Sequence, residues 1–108
     1  MSLDKVFEAL ASAPRRKILA YLGEAEMNTS ELAERFAMSA PAISRHLSIL
    51  ENADLVASER RGQFVFYTLN AANVANILTS YALQLCPLGR PLKRESEAIV
   101  AARKSKKT

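Results

Sequence analysis

The chain has 108 residues, 49% of them hydrophobic, which gives one domain with a modest core and excludes a disordered polypeptide. No apolar run approaches the roughly 20 residues that span a bilayer, so no membrane partner is expected. The formal net charge is +4, but residues 90–108 hold seven Lys and Arg against two Asp and Glu, whereas residues 1–89 hold eight against nine, so bulk charge does not make the folded body a nucleic-acid binder and the placement of its cations must decide.

The first residues, MSLDKVFEAL, lack the basic start and apolar stretch of a signal peptide, and a cytoplasmic protein is expected. Residues 3–11 place Leu3, Val6, Phe7 and Leu10 on one helical face. The stripe is wide for so short a helix and needs cover from its own chain or from a second copy. Ala13-Pro14 breaks the run. Pro14 opens a second helix with Ile18, Leu19 and Leu22 facing inward and Gly23 as its stop. Arg15, Arg16 and Lys17 crowd its first turn, where the macrodipole disfavours positive charge. A nearby anion such as a DNA phosphate accounts for such a cluster; a solvated charged turn is the plainer alternative.

Asn28 and Glu31 fit a capping box, and a short helix follows with Leu32, Ala33 and Phe36 inward. Ser39 caps the next helix, residues 39–53, with Pro41 in its first turn. Ile43, Leu47 and Leu50 recur at the i, i+4, i+7 spacing of a buried face. The opposite face carries Ala40, Ala42, Ser44, Arg45 and Ser48: small residues, hydroxyls and one long cation. Such a face fits a DNA major groove, where the guanidinium can meet guanine or a phosphate. The two helices and their turn, roughly 37–39, make a helix-turn-helix, although the turn lacks the glycine often found there.

Residues 55–69 alternate as a β-hairpin around a basic tip, Glu59-Arg60-Arg61-Gly62-Gln63. A helix-turn-helix followed by a hairpin is a winged helix. The expected fold is mainly α with a small β-hairpin, in the order α-α-α-α-β-β-α. Arg60, Arg61 and Gln63 on the wing stand where they reach flanking backbone or minor groove. Asn70 caps a last long helix whose stripe is Val74, Ile77, Leu78, Tyr81 and Leu85. A small domain has little core left to cover both this stripe and the first helix. The terminal helices are therefore expected to pair with a second copy, giving a homodimer that matches a palindromic site. Pro87, Gly89 and Pro91 end the helix. The expected organisation is one DNA-binding and dimerisation domain over 1–89 and a partly disordered basic tail over 90–108, with a helical turn or two around Ile99 and Val100.

The stretches PRRKILAYL, SELAERFAMSAPAISRHLSILENADLV and RRGQFVFYTLN resemble the ArsR-type family of small bacterial winged-helix repressors. Ser44 to Leu47 is the most specific piece, and Gly62 to Tyr67 points toward the SdpR-like autorepressor branch. The resemblance runs from about Val6 to about Leu85. It implies a homodimer that binds a double-stranded DNA operator, often near its own gene, and blocks transcription. It places Ser39, Ala40, Ala42, Ser44, Arg45 and Ser48 at the DNA, with His46 either bracing the helix or touching bases. Many members sense metals, and here the chain departs from them. The helix before the recognition helix has no cysteine, the last helix has no Asp, His or Glu, and His46 is the only histidine. Zinc and its relatives need about four N or S ligands, so no metal and no cofactor are expected. No enzymatic constellation is present either. Two alternatives stay open: a ligand- or redox-responsive repressor using Cys86 or a pocket at the dimer interface, and a winged-helix module that binds protein rather than DNA.

Overall fold

A computed structural model of the chain describes residues 2–86 and 93–105. Its elements are α1 (Leu3–Leu10), α2 (Ala13–Glu24), β1 (Met27–Asn28), α3 (Thr29–Phe36), α4 (Ala40–Asn52), β2 (Val56–Arg61), β3 (Phe64–Leu69), α5 (Ala71–Leu85) and α6 (Lys93–Ser105). Met1–Val74 form one compact unit and Ala75–Thr108 a second.

Hydroxyl and amide caps start the first four helices. Ser2 accepts from the Lys5 N–H, Ser12 from Arg15 and Ser39 from Ala42. Asn28 and Glu31 form the reciprocal box that their spacing predicts, with bonds of 2.9 and 3.0 Å. Helix ends depart further from the sequence reading. Gly23 does not stop α2: the helix runs on to Glu24 and ends where Ala25 turns extended. The turn between α3 and α4 is made by Ala37 in the left-handed region, φ 51°. The Met38 N–H closes it on the Ala33 carbonyl at 3.2 Å, the long-range bond of a Schellman end. An alanine thus does the work usually left to glycine, at a conformational cost of roughly 1 kcal/mol.

The sheet has three strands rather than the expected two. β1, for which no strand is expected from the sequence, pairs antiparallel with β3 (Met27 opposite Tyr67), and β3 pairs with β2, giving the order β1-β3-β2. Strand β2 also reaches further than expected. Arg61 lies opposite Phe64, so the loop is only Gly62 and Gln63. Gly62 takes φ 63° and Gln63 does not share the positive φ, the pattern of a II′ hairpin.

The core of the first unit is built from Ile18 and Leu22 of α2, Leu32 of α3, and Ile43, Leu47 and Leu50 of α4, closed by Leu55 and Val56. Val6, expected on a surface shared with a second copy, is fully buried in this core and is thereby removed from that surface. The reason is rotation: α1 turns Val6 and Ala9 inward and leaves Phe7 39% exposed. No polar or charged side chain is buried among the described residues, so the chemistry of this molecule lies on its surface.

In the second unit, α6 spans 13 residues where the sequence suggested a turn or two. Its side chains from Arg94 to Lys104 are all exposed. Disorder is expected over the last residues, 102–108; α6 runs through Ser105, and 106–108 lie outside the described residues.

Candidate nucleic-acid interface

Helix α4 is seated by one face and presents the other. With Ile43, Leu47 and Leu50 inward, the positions between them must face out. Ser39, Ala40, Ser44, Arg45 and Ser48 are exposed, and Ala42 and His46 are half-buried. Ser39 spends its hydroxyl on the cap. Arg45 makes no hydrogen bond or ion pair with any described residue. A long cation thus stands free on a strip of alanine and serine side chains too short to hold another surface away. This is the relief a helix needs to enter a major groove.

Two contacts fix the hairpin beside this helix. The Ser58 hydroxyl donates to the Glu51 carboxylate at 2.5 Å, tying β2 to the end of α4. Asp54, in the left-handed region with φ 61°, turns the chain out of α4, and its carbonyl accepts from both Asn70 (3.2 Å) and Asn73 (3.0 Å) at the start of α5. Burial raises the phenol pKa of Tyr67 on β3, and Glu51 adds to the shift.

The two wing arginines, read together from the sequence, are separated by the strand. Being neighbours in β2, they project to opposite faces. Arg61 is engaged: its guanidinium forms a two-pronged pair with Glu26 (2.5 and 3.0 Å), reaches Glu59 at 3.0 Å and lies 5.0 Å from the centre of the Phe66 ring. Its hydrogen bond holds the Glu26 carboxyl below its ordinary pKa, and Glu26 and Glu59 together raise the already high value of Arg61. Arg60 makes one weak internal contact, to the Gly62 carbonyl at 3.3 Å, and Gln63 makes none. Glu26 carries no local signal in the sequence, because its partner Arg61 is 35 positions away.

The arginines of α2 also have internal partners. Arg15 donates through Nε to the Ala9 carbonyl at 2.7 Å and through Nη2 to the Glu8 carbonyl at 3.1 Å, and Arg16 donates to the Leu10 carbonyl at 2.7 Å. These are the terminal carbonyls of α1, a helix with no basic residue in its own last turn. The anion that the cationic turn called for is therefore present inside the protein, as the negative end of a helix dipole. Lys17 is exposed and has no such partner. Arg15 extends further, its Nη1 lying 3.3 Å from Nδ1 of His46. Since arginine can only donate, Nδ1 accepts and the imidazole proton is assigned to Nε2. Burial, then Arg15 and Arg45, push the His46 pKa below its ordinary value.

Of the residues expected at a shared surface, Leu3, Leu10, Val74, Ile77 and Tyr81 are half-buried, while Leu78 and Leu85 are 36% and 59% exposed. Leu83, which the sequence reading passed over, is 53% exposed. Cys86 is a half-buried free thiol. Among the described residues no three His, Cys, Asp or Glu side chains converge as a metal site would require, and no helix is long and apolar enough to cross a membrane.

A helix-turn-helix with an exposed polar second helix and an adjoining hairpin defines a winged helix-turn-helix, the class of fold that offers a helix to duplex DNA. The sequence carries the same message. Residues 13–58 match the family described as bacterial regulatory protein, arsR family. The chain is 43% identical over 68 residues to the transcriptional repressor SdpR of Bacillus subtilis, covering 63% of this chain and 76% of that one. It is 36% identical over 69 residues to the transcriptional activator HlyU of Vibrio cholerae, covering 64% of each. Among solved structures, an ArsR-like transcriptional regulator from Rhodococcus sp. RHA1 superposes with a TM-score of 0.67 at 31% identity, over 95% of this chain and 90% of the other. The chain belongs to the arsR family of bacterial regulatory proteins, and it is a DNA-binding transcriptional regulator rather than an enzyme.

Proposed function

We propose that the protein is a metal-independent, homodimeric repressor of a palindromic operator, one that lies near its own gene. The observation that carries this reading is Arg45: an exposed, unpartnered guanidinium on the small polar face of α4. Ser44 and Ser48 lie beside it, with Ser39, Ala40 and Ala42 allowing close approach and Arg60 and Gln63 of the wing meeting flanking backbone. His46 braces the helix from within. A second copy would cover the exposed apolar residues of α5, with Leu3, Phe7 and Leu10 of α1 contributing. Repression is favoured over activation by the likeness to a protein named a repressor, although another relative is named an activator. Metal independence is supported by the donor set: one histidine already engaged by an arginine, and one cysteine.

Fluorescence anisotropy on labelled DNA from upstream of the gene, against scrambled DNA and with and without chelator, tests this reading. Tight, selective and chelator-indifferent binding is expected. Arg45→Ala should weaken selective binding by about 1–3 kcal/mol, the range for a two-pronged contact to a base. Undiminished affinity in that variant removes Arg45 from the interface, and equal binding to both DNAs removes the operator.

A further inference from the structure

We infer that Arg15 is a positioning residue for DNA recognition: it clips the end of α1 to the reading helix through His46, and it holds α4 in place instead of contacting phosphate. The inference rests on the DNA-reading role proposed for α4 and deepens it. The geometry is a three-way fork. Nε and Nη2 of one planar guanidinium hold the carbonyls of Ala9 and Glu8, and Nη1 meets His46 one residue from Arg45. The first two bonds place a cation on the negative end of the α1 dipole, where it is stabilised. The third reaches across to α4, whose buried stripe sets which face is inward and whose far end is held by the Ser58–Glu51 hydrogen bond. Packing thus chooses the face of α4 that points outward, and a hydrogen bond to a fixed donor holds the His46–Arg45 end of that face against small rotations and shifts. Rotation is what aims Arg45 and Ser48 at base edges. The imidazole is suited to the part because Nδ1 can accept, and burial, then Arg15 of α2 and Arg45 of α4, oppose its protonation.

The test uses the full chain in Arg15→Met and Arg15→Lys forms, with His46→Leu removing the acceptor from the α4 side. The probes are a duplex enriched from a random pool by the wild-type protein and a scrambled duplex of equal length. Loss of the clip should weaken binding to the enriched duplex about tenfold, the scale of one hydrogen bond to a charged group. Binding to the scrambled duplex should change little, and the salt dependence should stay that of wild type. Lysine keeps the charge but not the planar fork, so Arg15→Lys should behave as Arg15→Met does. A salt slope reduced by about one, as when a phosphate contact is lost, overturns the inference, as does full rescue by lysine. An NMR titration of the His46 ring without DNA gives a second reading: its pKa should rise in Arg15→Met, and an unmoved titration shows that the clip is absent. Should Arg15→Met fail to fold, His46→Leu and Arg15→Lys still decide. A wild-type protein that enriches no duplex defeats the operator reading itself, and the positioning role falls with it, while the ring titration still reports whether the contact exists.

Discussion

Helices α4 and α5 are made of similar material and are put to opposite use. They have 13 and 15 residues, and each carries leucine and isoleucine at helical spacing. Three side chains of α4 are wholly buried in the chain's own core, whereas no residue of α5 is buried. The difference lies in neighbours, not composition. α4 is met by α1, α2, α3 and β2, and its apolar face is used up inside one chain. α5 keeps Leu78, Leu83 and Leu85 in contact with water. The same hydrophobic stripe thus serves as a seat in one case and as open apolar surface in the other. Burial is something the partner elements confer, and a stripe does not carry it alone.

The contrast can be broken from either side. Leu47→Ala in α4 should have the largest effect, a loss of about 2–5 kcal/mol of stability in urea unfolding, because a sealed core cannot collapse around the deletion. Leu78→Glu in α5, where the side chain is 36% exposed, should cost the single chain about 1 kcal/mol, well short of the core deletion. If α5 is covered by a second copy, the wild-type melting temperature rises with protein concentration and the variant loses that dependence. A wild-type melting temperature independent of concentration would leave the stripe without a partner.

A smaller effect lies at the entrance to α4. Ala37→Gly should stabilise the protein by up to about 1 kcal/mol, since glycine takes the left-handed conformation without a Cβ penalty. A destabilised variant would mean that the gain in unfolded-chain entropy outweighs the relief of strain. The least effect is the pH response of the half-buried side of α4. The His46 pKa is lower in the folded chain than in the unfolded one, so the unfolded state binds the proton more readily. Stability should therefore be full above about pH 6.5 and decline as the pH falls from there toward the folded-state value, levelling below it. His46→Asn should flatten that segment of a melting-temperature profile.

Much of this is legible in the residues. The Asn28–Glu31 box, the Ser39 cap and the Ile43, Leu47, Leu50 spacing are local signals, and each is read within a turn or two of helix. The small polar face of α4 follows from them by subtraction. What escapes is long in sequence or depends on where a flexible side chain turns. Arg15 and His46 are 31 positions apart, and Arg61 and Glu26 are 35. A cluster of three cations says that an anion is near but not that it is the end of the preceding helix. The paired arginines of the wing read as one basic tip because the hairpin's last paired residues cannot be told from its loop; once Arg61 is in the strand, alternation divides them. β1 escapes for a related reason, since two residues carry no periodicity of their own.

The hairpin tip has a consequence that concerns handedness. A Cβ placed on Gly62 would find no atom within 4 Å, so nothing nearby excludes a side chain. The objection comes from the backbone alone, whose φ of 63° suits the mirror image of an ordinary amino acid. A D-alanine introduced there by chemical ligation would meet neither obstacle. The end of the wing is thus open to a synthetic reporter of the opposite chirality and closed to most of the residues that a gene can encode.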